Sequence, residues 1–149
     1  NSYYTIIDIV KCGIPEASLI YNIPENVFIT TSRGNGAQEE NIVLRVPDEN
    51  KLIHNFSSND LNILQNLGQK TDIENVDNYS FISNIISLIK GEIDFIVHNN
   101  EDEKILDGIK LLCQESKLLM SKYQMKNNSK LLDVISRPKI HEKVISMID

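Results

Sequence analysis

The sequence contains little cysteine and histidine, and this scarcity excludes several kinds of site. Among 149 residues there are two cysteines, Cys12 and Cys113, and three histidines. Two cysteines so far apart cannot build a disulfide framework or a zinc cluster, and their apolar neighbours lead us to expect two reduced, buried thiols. His54, His98 and His141 lie in separate segments, without a second histidine or cysteine at a metal-ligand spacing. The sequence therefore predicts no cofactor and no metal site.

Long apolar runs are missing as well. The longest ones, such as residues 85–89, are far too short to cross a bilayer. The first residues also lack the basic region and apolar run of a signal peptide. We therefore expect no membrane-spanning segment and an intracellular location.

Positive charge is in the minority. The chain has 15 Lys and Arg against 21 Asp and Glu, for a formal net charge of −6. Because the basic residues are dispersed, the sequence disfavours a broad phosphate-binding face and direct binding of nucleic acid. A hydrophobic fraction of 41% is nevertheless ordinary for a globular protein, and a chain of this length can form a core by packing alone.

The first third of the chain has the pattern of a small sheet. Residues 18–23, 27–31 and 42–46 are rich in β-branched and aromatic side chains, which favour strands. Residues 3–10 fit a short helix or a strand. We therefore predict a small β-rich domain over residues 1–47.

After residue 47 the apolar period changes from two to about three and a half, which favours helices. The predicted helices cover residues 48–54, 57–67, 77–90, 102–124, 130–136 and a last segment that begins at Pro138. The apolar residues 93–97 fit neither pattern clearly. The predicted fold class is thus α+β: a small N-terminal β segment followed by a mainly α-helical bundle domain over residues 48–149.

The predicted helix over residues 102–124 carries more apolar surface than the rest of the chain could cover. Leaving several such side chains in water forgoes several kcal/mol at about 25 cal/mol per Å², so a partner subunit is the expected cover. The candidate partner interface consists of Tyr3, Tyr4, Ile82, Ile86, Ile105, Ile109, Leu112, Leu119 and Tyr123.

Two segments could suggest chemistry, but neither has the required pattern. The loop of residues 34–36 has two glycines, yet it lacks the Gly-Lys-Ser/Thr ending of a phosphate-binding loop, so we interpret it as a connector between strands. Glu101, Asp102 and Glu103 would point in different directions on a helix, where they favourably meet the positive end of its dipole. Without a candidate nucleophile, the sequence predicts a protein that is not an enzyme.

Short motifs along most of the chain resemble one known family. They are Tyr3-Tyr4 with Ile6, Asp8 and Ile9, then Tyr21-Asn22-Ile23-Pro24, then Val43-Leu44-Arg45-Val46-Pro47, and finally Phe56, Val76, Tyr79 and Phe81 at similar spacings. In this order they resemble the Psf-three subunit family of the GINS DNA replication complex. The family's Leu-Pro-Leu-Trp-Leu-Ala run is missing here, since the chain has no tryptophan.

This resemblance implies a non-catalytic role in the nucleus. The chain would be one subunit of a heterotetramer with the other GINS subunits, and the assembly would join the minichromosome-maintenance helicase and its Cdc-forty-five-type cofactor as the replicative helicase. The helical segments over residues 79–89 and 102–124 would supply the core between subunits, and residues 3–10 a peripheral docking contact.

Two other hypotheses fit the residues. The first is an unrelated protein–protein interaction module, such as a viral or parasite effector with a helical partner-binding face. The second is a small enzyme with a scattered site, for example His98 with Glu101 or Asp102.

Overall fold

The computed structural model describes residues 3–49, 52–69, 72–76, 80–101, 104–126 and 130–148. Two sheets of five strands each form its framework. The first sheet consists of β1 (Tyr4–Lys11), β2 (Ile14–Asn22), β3 (Val27–Ser32), β4 (Gly36–Glu39) and β5 (Ile42–Leu44). These strands are antiparallel and adjacent in chain order.

Tight turns give the first sheet this simple order. Cys12 and Gly13, between β1 and β2, both have left-handed backbone angles, with φ of 52° and 78°. Glu40 and Asn41, between β4 and β5, have φ of 46° and 73°. Two consecutive left-handed residues form the hairpin turn whose twist matches that of the strands it joins.

The second sheet is mixed. Its strands are β6 (Asn55–Ser58), β7 (Glu74–Asn75), β8 (Phe95–His98), β9 (Leu119–Gln124) and β10 (Leu131–Ser136), and their order in space is β7-β6-β8-β10-β9. β6 is parallel to β7 and β8, whereas β10 is antiparallel to β8 and β9. The helices are α1 (Leu61–Gly68), α2 (Phe81–Lys90), α3 (Asp107–Glu115) and α4 (His141–Ile148), and a single 3-10 turn (Pro138–Ile140) precedes α4.

Two apolar cores arrange these elements as layers. The first core joins the inner face of the first sheet to α2, α3 and one face of the second sheet, with Ile20, Leu88, Leu112 and Ile135 among its members. The second core joins the opposite face of the second sheet to α1 and α4. The layers therefore run sheet, helices, sheet, helices.

The predicted helical bundle is wrong, because the part of the chain after residue 47 contains a five-stranded sheet. Residues 93–97 belong largely to β8, residues 119–124 form β9, and the predicted helix over residues 130–136 is strand β10. The segment of residues 52–54 is not helical either. Short apolar runs fit both periods, and here the pairing of strands decided the structure.

The predicted long helix ends early at a left-handed residue. α3 stops at Glu115, and Lys117 follows with φ of 69°. The amide of Leu118 then donates to the carbonyl of Cys113 at 2.9 Å, as in a Schellman motif. Glycine usually takes the left-handed position of this motif. With lysine in that position, the sequence carried no stop signal there.

Other local expectations fared better. α2 ends at Gly91, whose φ of 81° makes it the expected left-handed cap. Ser80 caps the start of α2, while the predicted start at Asp77 lies outside the described residues.

Cys113 is buried as expected, but Cys12 is exposed. No helix in the described ranges is long and apolar enough to span a membrane. The domain boundary at residue 47 stays a prediction.

Candidate functional site

A cleft of about 470 Å³ opens between α3 and the edge strand β9. We call it the lysine cleft. Its lining consists of Asn100, Lys104, Ile105, Lys110, Met120, Ser121, Lys122 and Asp133. The volume is in the range of clefts that hold small molecules.

The register of the second sheet positions one side of this cleft. Asp133 of β10 lies opposite His98 of β8 and Lys122 of β9, so the three form one row on the face that meets α3. The buried Asp133 carboxylate accepts hydrogen bonds from Lys122 Nζ at 3.0 Å and 3.3 Å, and from Asn100 Nδ2. Asn100 Oδ1 in turn accepts from the amide of Ile105 at 3.0 Å. Lys122 is thus held in place at the rim of the cleft.

The other side comes from the start of α3. Lys110 Nζ lies 3.1 Å from Asp107 Oδ1, one helical turn earlier, and both side chains are exposed. Lys104 precedes the helix and is also exposed. Three lysines and one aspartate therefore line the cleft, and Asp133 is already paired with Lys122. An excess of positive charge in a chain of net charge −6 makes the cleft suited to an anion.

Three other clefts of the described residues differ in charge. One includes Glu25, Glu39, Lys90 and Glu92 in its lining, and is therefore acidic. A second contains Asp72, Glu74 and Lys143. A third, on the outside of the first sheet, is lined by uncharged residues. Of these four clefts, the lysine cleft is the one with an excess of lysine.

The glycine loop between β3 and β4 binds an anion that belongs to the chain itself. The amides of Gly34 and Gly36 donate to Glu115 Oε1 and Oε2, each at 3.0 Å. Glu115 is buried at the end of α3. The loop is therefore a connector between strands, as expected, and its amides also tie the first sheet to α3.

The polar groups behind the cleft are occupied as well. Ser121 Oγ lies 2.7 Å from His141 Nε2, and Ser136 Oγ lies 2.7 Å from His141 Nδ1. Burial lowers the pKa of His141, and the charge of Glu142 offsets part of this effect. This imidazole is therefore neutral near pH 7. The Ser121 hydroxyl is held by His141, so Ser121 has a structural role in the wall of the cleft.

The structure scatters the predicted interface residues. Ile105, Ile109 and Leu112 are buried in the first core of their own chain, and Ile82 and Ile86 pack against it. Tyr4 also packs there, and its hydroxyl lies 2.9 Å from Ser83 Oγ. Tyr123 packs against the second core, whereas Tyr3 and Leu119 are exposed. Neither the fold nor the comparisons below test these residues as a set, so the interface stays a prediction.

Sequence reasoning missed the lysine cleft. Lys104, Lys110 and Lys122 look dispersed in the sequence, and they meet because β9 folds back along α3. The pairing of Lys122 with Asp133 is visible only once β9 and β10 are known to be antiparallel neighbours. The sequence-based alternative paired His98 with Glu101 or Asp102. His98 is buried, and its ring centroid lies 4.2 Å from that of Phe81 in a tilted contact. Asp102 lies outside the described residues, so this pairing stays a prediction.

Comparison with known proteins finds matches among solved structures and none among protein families or curated proteins. No protein-family model matches the chain, and no curated protein matches it. Among solved structures, the extragenic suppressor protein SuhB from Bartonella henselae has a TM-score of 0.76 and 16% identity, over 97% of this chain and 60% of that one. Inositol monophosphatase from Anabaena (Nostoc) sp. PCC 7120 has a TM-score of 0.74 and 14% identity, over 96% and 62%. A calcium-bound IMPase family protein from Staphylococcus aureus has a TM-score of 0.74 and 20% identity, over 95% and 59%.

These matches show the fold of the chain, which is that of inositol monophosphatase and SuhB structures. The chain spans about three fifths of the length of the structures it matches. The resemblance to the Psf-three family is therefore wrong, and so are the GINS, minichromosome-maintenance and Cdc-forty-five partners that it implied. The predicted scaffolding role and the prediction of a protein that is not an enzyme are contradicted by the same matches, which fit the small-enzyme alternative better.

The calcium in the Staphylococcus aureus structure raises the question of a metal site here. The residues that the structure describes contain no group of three His, Cys, Asp or Glu side chains that could hold a metal ion. They do not fit a metal centre by themselves.

Proposed function

We propose that this chain is the phosphate-binding part of a phosphatase that acts on small phosphorylated molecules of the inositol monophosphate kind. The observation that carries the proposal is that Lys104, Lys110 and Lys122 line one cleft, in a fold shared with inositol monophosphatases. A phosphate monoester carries about 1.5 to 2 negative charges near neutral pH, which matches the excess of lysine.

Each lysine has a definite part in binding. Lys122 is oriented by Asp133 and presents its remaining ammonium hydrogens at the rim. Lys104 and Lys110 approach the cleft from the start of α3 on exposed side chains, and Lys110 is paired with Asp107. The polar side chains of Asn100 and Asp133 hold the geometry, while Met120 and Ile105 supply an apolar wall for the carbon ring of the substrate.

The hydrolytic step of this proposal is supported by the matched structures and not by the described residues. The matched structures are longer than this chain, which covers about 60% of their length. The described residues contain no group of three His, Cys, Asp or Glu side chains that could hold a metal ion, so the part of the reaction that we assign to them is the binding of the phosphate group. This chain contributes recognition, and its lysines neutralise the charge of the bound phosphate.

The binding experiment is calorimetry of the purified chain with inositol 1-phosphate at low salt. Lys110→Met is the most informative variant. Its partner Asp107 is exposed, so removing this ion pair should cost little stability. We expect about tenfold weaker binding, which corresponds to about 1.4 kcal/mol. Lys143→Met is the matched control, since Lys143 is exposed on α4, beyond the other face of the second sheet. Equal affinity of both variants and the parent would contradict the lysine cleft as the binding site.

The hydrolysis experiment uses the protein purified from its own cells. We expect release of inorganic phosphate from inositol 1-phosphate, with KM raised by Lys110→Met and unchanged by Lys143→Met. Purified protein that binds the ester and releases no phosphate would refute the phosphatase activity and leave a phosphate-binding protein.

A further inference from the structure

The cleft that contains Glu25, Glu39, Lys90 and Glu92 lies between the first sheet and α2. We call it the acidic cleft. Its volume is about 210 Å³, and three glutamates against one lysine give its lining a net charge of −2. Because a negatively charged cleft attracts cations, we expect its ligand to be positively charged.

Two of the three carboxylates have no cationic partner among the described residues. Glu39 is neutralised within the chain, because Lys90 Nζ lies 2.8 Å from Glu39 Oε2. Glu25 Oε2 accepts a hydrogen bond from Asn22 Nδ2 at 2.9 Å, and Glu92 Oε2 accepts one from Ser87 Oγ at 2.8 Å. Both of these donors are uncharged, so the negative charges of Glu25 and Glu92 remain available to a ligand.

A buried amide oxygen in the same cleft is an independent sign of a ligand. Asn22 lines the acidic cleft, is 7% exposed, and has an Oδ1 atom without a hydrogen-bond partner in the described part of the chain. The register places Asn22 on the inner face of the first sheet, between Tyr4 of β1 and Val27 of β3. A buried acceptor without a donor costs free energy, and such groups are normally hydrogen-bonded. A ligand with both a hydrogen-bond donor and a positive charge satisfies the oxygen and the carboxylates together.

An ammonium group fits the acidic cleft better than a metal ion does. The residues that the structure describes include no group of three His, Cys, Asp or Glu side chains that could hold a metal ion, so the three glutamates do not form a metal centre. An ammonium group carries three donors, which separate acceptors can satisfy one by one. Val27, Ile29 and Ile86 also line the cleft and offer an apolar surface to a short methylene chain.

We propose that the acidic cleft binds a small aliphatic diamine. Asn22 Oδ1 accepts a hydrogen bond from one ammonium group, and the carboxylates of Glu25 and Glu92 balance the two positive charges. The proposal does not depend on phosphate binding, because the acidic cleft and the lysine cleft share none of their lining residues.

Calorimetry of the purified chain with 1,4-diaminobutane at low salt tests the proposal, with 1,4-butanediol as the uncharged control. We expect the diamine to bind and the diol to give no heat of binding. Glu92→Gln keeps an acceptor for Ser87 and removes the charge, so it should weaken binding of the diamine about tenfold. Glu142→Gln is the matched control and should leave the affinity unchanged, because Glu142 is exposed on α4, outside the acidic cleft. Absence of diamine binding, or equal affinities of the two variants, would overturn the proposal.

Asn22→Leu distinguishes this site from a general attraction of cations to an acidic chain. The substitution removes the amide oxygen and leaves the charges of the cleft in place, so binding of 1,4-diaminobutane should again weaken about tenfold. Circular dichroism checks that the variant is folded, and the exposed Glu92→Gln variant gives the same test without changing a buried residue. Full diamine affinity in folded Asn22→Leu would contradict the proposed role of the oxygen. Binding of calcium chloride in place of the diamine, weakened by Glu92→Gln, would identify a metal site and overturn the proposal.

Discussion

The amide of Gly108, in the first turn of α3, donates a hydrogen bond to Asp8 Oδ2 of β1 at 3.1 Å. Asp8 Oδ1 also accepts from Ser18 Oγ at 2.8 Å. A carboxylate from the first strand thus satisfies a free amide at the start of a helix that lies 100 residues later in the chain. This contact fixes the end of α3 that carries Lys110.

Gly108→Ala should destabilise the chain by about 1–3 kcal/mol. A Cβ at this position would lie 2.1 Å from Asp8 Oδ1 and 2.5 Å from Ser18 Oγ, so the carboxylate must leave both hydrogen bonds. Urea unfolding measures the loss. Gly68→Ala is the control, because a Cβ there meets nothing within 4 Å, and we expect no loss or a gain of about 0.5 kcal/mol. Equal effects of the two substitutions would count against the contact.

Arg137→Met should cost about 3–5 kcal/mol, because it removes the guanidinium group that forms an ion pair with the buried Asp94 carboxylate. Arg137 Nη2 lies 2.6 Å from Asp94 Oδ1, and both residues are 1% exposed. The amide of His54 donates to the other carboxylate oxygen at 2.8 Å, so the pair joins β10 to the segment that enters β6. Denaturant unfolding checks this value. Lys139→Met, which removes an exposed pair with Asp48, should change stability by less than about 1 kcal/mol.

Stability should fall as the pH is lowered through the range just below 6.5, the ordinary pKa of histidine. Burial lowers the pKa of His141 in the folded chain, so the unfolded chain takes up a proton that the folded chain resists. Above pH 6.5 both states are neutral at this position and the effect vanishes. Urea midpoints at pH 7.5 and 5.5 measure the slope, which His141→Gln should flatten. An unchanged slope in that variant would exclude His141 as the source.

The two cysteines should differ sharply in reactivity. Burial raises the pKa of Cys113 to about 12, so its thiol stays protonated at pH 8. Cys12 is exposed in the turn after β1. Iodoacetamide at pH 8 should therefore add one group to the native chain and two to the urea-unfolded chain, as counted by mass spectrometry. Alkylation of Cys113 at the same rate before and after unfolding would contradict its burial.

The sequence was informative where local chemistry decides the structure. Strands β2, β3 and β5 follow β-branched runs, and the end of α2 follows from Gly91 in a left-handed cap. Strand β4 (Gly36–Glu39) has no β-branched residue and begins within the predicted loop of residues 32–38, so the sequence missed it. The sequence was misleading where a contact between residues far apart in the chain determines the secondary structure. The apolar residues after Leu118 alternate well enough for a helix, yet they pair with β10 as strand β9. The sequence near Lys117 does not indicate the end of α3, because the left-handed residue at this position is lysine and not glycine.

The lysine cleft was hidden for the same reason. Its residues come from four places in the chain, and they meet only when β9 and β10 pair and α3 packs beside them. The glycine loop of residues 34–36 was visible as a motif, but its anion is the Glu115 carboxylate, about 80 residues away. Charge that looks dispersed along a chain can therefore converge on one cleft in the fold.

The central claim is that phosphate binds between α3 and β9, and an amide NMR titration tests it most directly. Inositol 1-phosphate is added to the 15N-labelled chain, with inositol as the uncharged control. The account predicts shifts at the amides of Lys104, Lys110 and Lys122 with the phosphate ester and none with inositol. Shifts confined to Gly34 and Gly36, or the same shifts with inositol, would contradict it.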